Sequence, residues 1–250
     1  MTNKNKIDVE ICCGDIESLY EAAKGGAKRV ELCHALSEGG VTPPLSMISA
    51  AKELGIESVN VLIRPRMGDF VYSDMEVAAM VEDIRFAKSA GATGIVSGAL
   101  LPDGSVDIDN TKKLIEAAEG LEFVFHRAFD RASQPLKVLE TLIKLGCTRI
   151  LTSGCSANAI DGIPLLKELV TIANGRIAIM AGAGVTPKNV AELVHEAGVT
   201  AVHSTAKRTV QSRMTYINEK VFMGAADADE YSRPVTSSEI VKELIANANK

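Results

Sequence analysis

The chain has 250 residues, of which 46% are hydrophobic and 24% are charged, and its formal net charge is −5. This composition is typical of a folded globular protein, and no apolar run approaches the roughly 18 residues that a membrane-spanning helix needs. The Lys and Arg residues are scattered and only 4% of residues are aromatic, which argues against nucleic acid or a membrane surface as a partner. Small molecules and ions remain.

The first residues and the cysteines indicate a cytoplasmic protein. Residues 1–6 lead directly into a strand-like segment and contain no apolar core of a secretory signal. Five cysteines are an odd number, and their spacings match no zinc motif. We therefore expect reduced thiols, and any metal site must be assembled in space from separate segments.

Seven glycines divide the chain into repeated units. Each follows a helix-like segment and precedes a short apolar run; they are Gly26, Gly55, Gly91, Gly120, Gly146, Gly175 and Gly198. Glycine just beyond a helix adopts a positive φ without steric cost and turns the chain into the next strand. Each unit therefore predicts a helix, a glycine and a buried strand.

In chain order, the pattern predicts strands at about 7–12, 28–33, 58–63, 93–98, 121–126, 148–153, 176–181 and 199–204. The intervening helices are predicted at about 15–24, 43–54, 73–90, 107–119, 134–145, 160–173, 187–197 and 235–248. Eight strands alternating with eight helices predict a single α/β domain over 1–250, a (β/α)₈ TIM barrel. A doubly wound open sheet is the alternative, but no G-x-G-x-x-G follows the first strand.

One segment does not fit the repeat. Residues 205–233 form a long loop between strand 8 and the last helix, and they contain Arg213, Met214, Tyr216, Phe222 and Tyr231. Loops of this length are uncommon unless they have a function. We expect a lid or a subunit contact here.

The ends of strands 1 and 2 share a Glu-x-Cys pattern. In matching register Cys12 and Cys33 face each other, with Glu10 and Glu31 one layer deeper. Paired thiolates suit Cu(I), although both cysteines could instead be buried apolar residues. Two adjacent buried carboxylates need a cation or a shared proton. They are either an acid/base pair or part of a Glu–Arg network that packs the barrel.

Further polar residues follow the other strands. Arg64 and Arg66, after strand 3, could neutralise the glutamates or hold an anionic substrate. His126, after strand 5, is a candidate for proton transfer, or a structural histidine. The Gly182–Gly184 turn after strand 7 and Ser204 at the end of strand 8 occupy the usual position of a phosphate site in barrels, although the turn could simply require positive φ.

Taken together, several segments resemble the CutC family of copper homeostasis proteins. They are Glu10-Ile11-Cys12-Cys13, Arg29-Val30-Glu31-Leu32-Cys33, Glu38-Gly39-Gly40-Val41-Thr42-Pro43, Arg64-Pro65-Arg66, Phe125-His126-Arg127-Ala128-Phe129-Asp130, Leu151-Thr152-Ser153-Gly154, Ala181-Gly182-Ala183-Gly184-Val185 and Glu230-Tyr231-Ser232. The resemblance implies a cytoplasmic (β/α)₈ barrel, often oligomeric, that is associated with copper tolerance and binds Cu(I) through Cys12 and Cys33. Two residues depart from the family pattern: Met67 replaces a glycine, and His34 replaces a small residue.

Two functions are therefore expected to compete. In the first, Cys12 and Cys33 bind Cu(I) for copper homeostasis. In the second, the barrel is an enzyme for a small phosphorylated or carboxylated metabolite; Glu10, Glu31, Arg64 and His126 are then catalytic, and Arg66, Gly182, Gly184 and Ser204 bind the anion. A homo-oligomer (dimer or tetramer) is expected in either case, and an interaction surface at 205–233 could coexist with both.

Overall fold

The predicted barrel is confirmed. The computed structural model describes residues 6–218, 220–221, 223 and 229–250. Eight parallel strands close into a barrel in sequence order. They are β1 (Asp8–Cys13), β2 (Arg29–Leu32), β3 (Ser58–Leu62), β4 (Gly94–Ser97), β5 (Glu122–Phe125), β6 (Arg149–Thr152), β7 (Ala178–Ala181) and β8 (Ala201–Ser204).

Eight α-helices lie in the described part of the chain. They are α1 (Ile16–Lys24), α2 (Ser46–Glu53), α3 (Asp74–Ala90), α4 (Ile108–Ala117), α5 (Pro135–Leu145), α6 (Ile163–Ala173), α7 (Val190–Ala197) and α8 (Ser238–Ala248). Short 3₁₀ helices cover Leu36–Glu38 and Arg127–Arg131. None of the described helices is long and apolar enough to cross a membrane.

The glycines of the repeat have the predicted conformation. All seven have positive φ, from +71° at Gly198 to +98° at Gly91. A side chain would strain the backbone at these positions, so glycine there ends one helix and admits the next strand. Helices α2, α6, α7 and α8 each begin about one turn later than predicted, because loop or turn residues, and before α8 the end of a strand, occupy the predicted first positions.

The connection between β8 and α8 is long, as predicted, and it contains two strands. β9 (Lys207–Gln211) and β10 (Ser232–Thr236) pair as an antiparallel ribbon. The pattern does not predict this ribbon, because β9 is polar and mostly exposed and lacks the apolar alternation of a half-buried strand. Tyr231 accepts a hydrogen bond from the Asn218 N–H, whereas Phe222 lies outside the described residues. A lid or subunit contact stays a prediction.

Alternating side chains divide the barrel into an outer and an inner core. Outward residues of the strands pack against the helices in one large cluster. The inner cluster takes one residue from each strand or its end: Cys12, Cys33, Leu62, Val96, Val124, Leu151, Met180 and Ala201. The two cysteines therefore point into the barrel, whereas Cys13, which alternates with Cys12, faces the helices.

Candidate functional site at the mouth of the barrel

The two sulfur atoms lie together inside the barrel. The Sγ atoms of Cys12 and Cys33 are 3.4 Å apart, and the residues are 3% and 0% exposed. The predicted register is wrong by two residues, since Cys12 pairs with Glu31 and Cys33 lies beyond the end of β2. A shift of two keeps every side chain on its predicted face, and strand stagger is a requirement of barrel closure. The sulfurs consequently meet on a diagonal.

The shift also moves Glu31 out of its predicted layer. Its Oε1 accepts a hydrogen bond from the Cys12 thiol at 3.6 Å, so this carboxylate lies beside the sulfurs and not beneath them. The hydrogen bond with Cys33 and burial together raise the pKa of the Cys12 thiol well above its ordinary value. Without a metal, Cys12 is therefore a protonated thiol, and a bound metal must displace its proton.

Glu10 lies deeper and has a cationic partner that the pattern does not predict. Arg29 Nε donates to Glu10 Oε2 at 2.7 Å, and Asn60 Nδ2 donates to the same oxygen at 3.0 Å. Arg29 also donates to Glu122 at 2.6 Å, which joins Glu10 to a charged layer at the opposite end of the barrel from the mouth. Burial nevertheless raises the pKa of Glu10, despite the opposing charge of Arg29. The Glu–Arg network is thus built with Arg29.

The two arginines after β3 do not neutralise the glutamates. Arg64 donates to the carbonyl oxygens of Glu38, Gly40 and Gly68, and its guanidinium lies 5.1 Å from the centre of the Phe70 ring. It thereby ties the loop after β2 to the loop after β3. Since these carbonyls and the ring engage Arg64, the expectation that it pairs with Glu10 or Glu31 is wrong.

Arg66 bonds to its own loop and to the first turn of α3. Its guanidinium donates to Glu76 at 2.5 Å, to Asp69 at 3.2 Å and to the Val71 carbonyl at 2.8 Å. Glu76 belongs to the capping box of α3, in which it pairs with Ser73. Arg66 therefore stabilises the start of a helix, and its guanidinium is not brought together with the predicted anion-binding turn.

His203 is the site residue that sequence reasoning overlooks. Its Nε2 lies 3.5 Å from Glu31 Oε2 and 4.0 Å from Glu10 Oε1. Burial alone would raise the pKa of Glu31 and lower that of His203, but their mutual attraction reverses both effects. Each group therefore stabilises the charged form of the other. A signal was present, because His203 occupies an inward position in the last strand and pairs in register with Glu10 across the closing seam.

His126 is brought to the mouth as a neutral imidazole. Burial, the largest cause, and the nearby Arg64 charge lower its pKa to about 4. Its Nδ1 accepts the Ala128 N–H at 3.3 Å and so caps the 3₁₀ helix Arg127–Arg131, while its ring lies 4.8 Å from that of Phe70. This capping favours the structural interpretation of His126. A base with such a low pKa is also weak at neutral pH.

Arg127 is held at the rim by a hydrogen-bonded group that the pattern does not predict. Asp130 accepts from Arg127 Nε at 2.7 Å and from the Ser153 N–H and hydroxyl at 3.1 and 3.0 Å. The same carboxylate also accepts from Thr152 Oγ1. Ser153 in turn accepts from Arg127 Nη2 at 3.1 Å. The loop after β5 is thereby tied to the end of β6, and the guanidinium is fixed in one orientation.

A cavity of about 810 Å³ opens beside His203. Its lining comes from the loops after β2, β5, β7 and β8 and from α8, and it includes Gly184 and Ser204 of the predicted anion site. Ser204 Oγ already donates to the Val185 carbonyl at 2.7 Å and accepts from the Ala206 N–H at 3.1 Å. Gly182 is absent from the lining; a Cβ there would lie 2.6 Å from Leu151, so this glycine permits close packing.

The comparisons with known proteins identify the family. The CutC family model matches residues 7–208. The chain belongs to the CutC family. It is 47% identical over 242 residues to a CutC family protein of Bacteroides thetaiotaomicron, which covers 96% of this chain and 97% of the relative. A Vibrio vulnificus member of the family is 46% identical over 239 residues, covering 95% of this chain and 96% of the relative.

Solved structures agree with this membership. A Streptococcus agalactiae protein named as the copper homeostasis protein CutC superimposes with a TM-score of 0.76 at 40% identity, over 80% of this chain and 98% of its own. The thiamine phosphate pyrophosphorylase of Pyrococcus furiosus reaches a TM-score of 0.58 at 16% identity, over 98% of this chain and 96% of its own. At that identity the second likeness concerns the barrel fold alone.

Neither departure from the CutC pattern adds a ligand to the two sulfurs. His34 is exposed, and its backbone forms a bridge with Val41. Met67 is 55% exposed in the loop after β3. Among the described residues, the ligand atoms that converge with the two sulfurs come from Glu31.

Proposed function

We propose that this CutC family member binds one Cu(I) ion through the sulfur atoms of Cys12 and Cys33. The observation that carries the proposal is the 3.4 Å separation of two free sulfurs inside the barrel. With a carboxylate oxygen of Glu31, they form a group of potential ligand atoms that all lie within 4.8 Å of one another. Thiolates select Cu(I), and a structural zinc site would need four protein ligands.

The surroundings of the sulfurs suit a soft, weakly solvated ion. Apolar side chains of the other strands enclose the inner side of the pair, so a bound ion is shielded from water. Glu31 Oε1, 3.6 Å from the Cys12 sulfur, is a carboxylate acceptor for a displaced thiol proton. The copper homeostasis name of the Streptococcus agalactiae structure is consistent with this chemistry.

Titration of the reduced protein with Cu(I), in competition with a chromophoric Cu(I) chelator, tests the proposal. We expect about one Cu(I) per chain, and we expect the Cys12→Ser/Cys33→Ser variant to lose it. The matched control is Cys147→Ser/Cys155→Ser, since neither residue belongs to the inner cluster. Circular dichroism verifies the fold of each variant. Unchanged Cu(I) affinity in the Cys12/Cys33 variant would show that the ion binds elsewhere.

A second candidate function is acid–base chemistry on a small anionic metabolite. His203, which pairs with Glu31 at 3.5 Å, lines a cavity of ligand size at the end of the barrel where such enzymes place their chemistry. Glu31 Oε2 and His203 Nε2 are buried, and apart from their ion pairs with each other and with Glu10 they form no hydrogen bond among the described residues. This buried acid–imidazole pair specifically favours the second function, because a carrier of copper alone does not require it.

A thermal-shift screen with sugar phosphates and carboxylates tests the second function. We expect a ligand-dependent shift that His203→Asn removes, since the imidazole lies at the floor of the cavity. If no compound in a broad set shifts the melting temperature, and Glu31→Gln and His203→Asn leave every measurable function unchanged, acid–base chemistry at this mouth is ruled out.

A further inference from the structure

We propose that the cavity beside His203 is a binding site for a phosphate monoester, held by Arg127, Lys188 and Lys207. The proposal deepens the second candidate function and rests on it for the identity of the substrate class. At about 810 Å³ the cavity has the size of sites that enclose a small metabolite. Its walls come from five separate elements, so the site exists only when the barrel is closed.

The charge of the lining selects an anion. Arg127, Lys188 and Lys207 contribute three positive charges, and Glu243 contributes one negative charge, although the whole chain carries −5. Neither lysine forms an ion pair with a carboxylate of the described residues. Asp130 pairs with Arg127 from outside the lining, so the comparison with a carboxylate depends on the number of oxygens and not on net charge. A monoester presents three terminal oxygens, one for each of the three cations, whereas a carboxylate presents two.

Arg127 is prepared for such a ligand. Asp130 and Ser153 hold its Nε and Nη2 atoms, which leaves its Nη1 atom without a bond to any described residue. Holding the guanidinium in one orientation removes the entropy cost of ordering it when a ligand binds. The planar guanidinium then offers directed donors, whereas the two lysines supply point charges.

The backbone after β7 supports the same assignment. Ala183 has φ of +79°, a conformation that costs a non-glycine residue energy, and Gly184 follows with φ of +70°. The carbonyl oxygens of both residues accept hydrogen bonds from Ala159 and Asn189, which do not line the cavity. Strain maintained by such contacts is typical of ligand-binding loops. This conformation directs the carbonyl oxygens of Ala183 and Gly184 to partners outside the cavity, so that they do not repel a bound phosphate.

Calorimetric titration of the full-length protein with glycerol 3-phosphate tests the proposal, with glycerol and glycerate as matched probes. We expect binding with a Kd of about 1 mM or tighter, at least about tenfold weaker binding of glycerate, and none of glycerol. Lys188→Gln/Lys207→Gln should weaken binding at least about tenfold, whereas Lys188→Arg/Lys207→Arg should preserve it. The control Lys112→Gln/Lys242→Gln alters two exposed lysines outside the cavity.

The outcomes separate this site from the function on which it rests. Glycerol 3-phosphate binding that depends on the two lysines, without turnover of any ester, supports the site and removes the catalytic proposal. The site is overturned if the parent fails to bind glycerol 3-phosphate, if it binds glycerol equally well, or if the glutamine variant binds within about twofold of the parent. It is also overturned, while catalysis is retained, if a carboxylate is turned over equally by the parent and the glutamine variant.

Discussion

At the scale of single residues, His126 makes the stability of the fold depend on pH. Its pKa is about 4 in the folded chain, below the 6.5 of an unperturbed histidine. As pH falls below 6.5, His126 becomes protonated in the unfolded chain but stays neutral in the folded chain. The contribution of neutral His126 to the free energy of unfolding is therefore fully present above pH 6.5. About 2 to 3 kcal/mol of it is lost as the pH falls from 6.5 to 4.

We expect His126→Asn to flatten this pH dependence, because the Asn side chain can still accept the Ala128 N–H but does not titrate. Urea unfolding of the parent and the variant at pH 7 and pH 4.5 measures it. Between pH 7 and pH 4.5 the parent should lose about 2 kcal/mol more of its free energy of unfolding than the variant does. Parallel pH profiles for the two proteins would contradict the buried, neutral state of His126.

Residue scale is also where sequence reasoning was least complete. The Glu-x-Cys repeat identified two cysteines that do meet, because inward-facing side chains at the ends of neighbouring strands converge in the narrow interior of the barrel. The partners of the acids were not predictable in this way. Arg64 follows its strand closely but turns to backbone carbonyls, and Arg29 was hidden at the other end of a strand. Loop conformation determines the partners of Arg64, and strand stagger determines those of Arg29. Neither can be predicted from the local sequence pattern.

At the scale of elements, the 3₁₀ helix Leu36–Glu38 covers the sulfur pair. Leu36 packs against the inner cluster that contains Cys12 and Cys33, and it also lines the cavity above. The helix follows Ala35, whose φ of +48° turns the chain back over the barrel. An ion that enters from the cavity must therefore pass this side chain.

We expect Leu36→Ala to accelerate Cu(I) uptake several-fold without changing the amount bound, since it opens a path but removes no ligand. Stopped-flow transfer of Cu(I) from a chromophoric chelator measures the rate. Leu54→Ala is the control, because Leu54 is a partly exposed leucine at the end of α2, outside the inner cluster. Equal uptake rates in the parent and the Leu36 variant would mean that the ion enters by another route.

Elements differ in how well local sequence determines them. The glycine repeat predicted the order of strands and helices because a helix end needs positive φ wherever it is in the fold. The sequence pattern did not predict the ribbon of β9 and β10, because these strands are stabilised by pairing with each other and not by a buried face. The starts of α2, α6, α7 and α8 were predicted too early for a related reason, because tertiary contacts determine where the first turn forms.

At the scale of the whole molecule, the site is a product of closure. β1 pairs with both β2 and β8, and the seam with β8 places Glu10 opposite His203, far away in sequence. The acid–imidazole group therefore combines residues from the first two strands and the last. No window of sequence contains this arrangement. The shared Glu-x-Cys pattern therefore identified the cysteines and glutamates, whereas His203 had only its inward position in β8 as a signal and was overlooked.

Closure also predicts how Cu(I) should act on the stability of the whole fold. The two sulfurs come from β1 and the residue just beyond β2, so the preformed site belongs to the folded state and an ion bound there favours folding. At a free Cu(I) concentration of 100 Kd, the stabilisation is about 2.7 kcal/mol, which raises the Tm of a chain of this size by about 5 to 10 °C. Binding of Cu(I) to the unfolded chain reduces this shift.

Thermal unfolding in a Cu(I) buffer measures the shift in Tm. We expect Cys155→Ser to show the same rise in Tm as the parent and Cys12→Ser/Cys33→Ser to show none. A rise of equal size in the latter would place the stabilising ion away from the barrel interior.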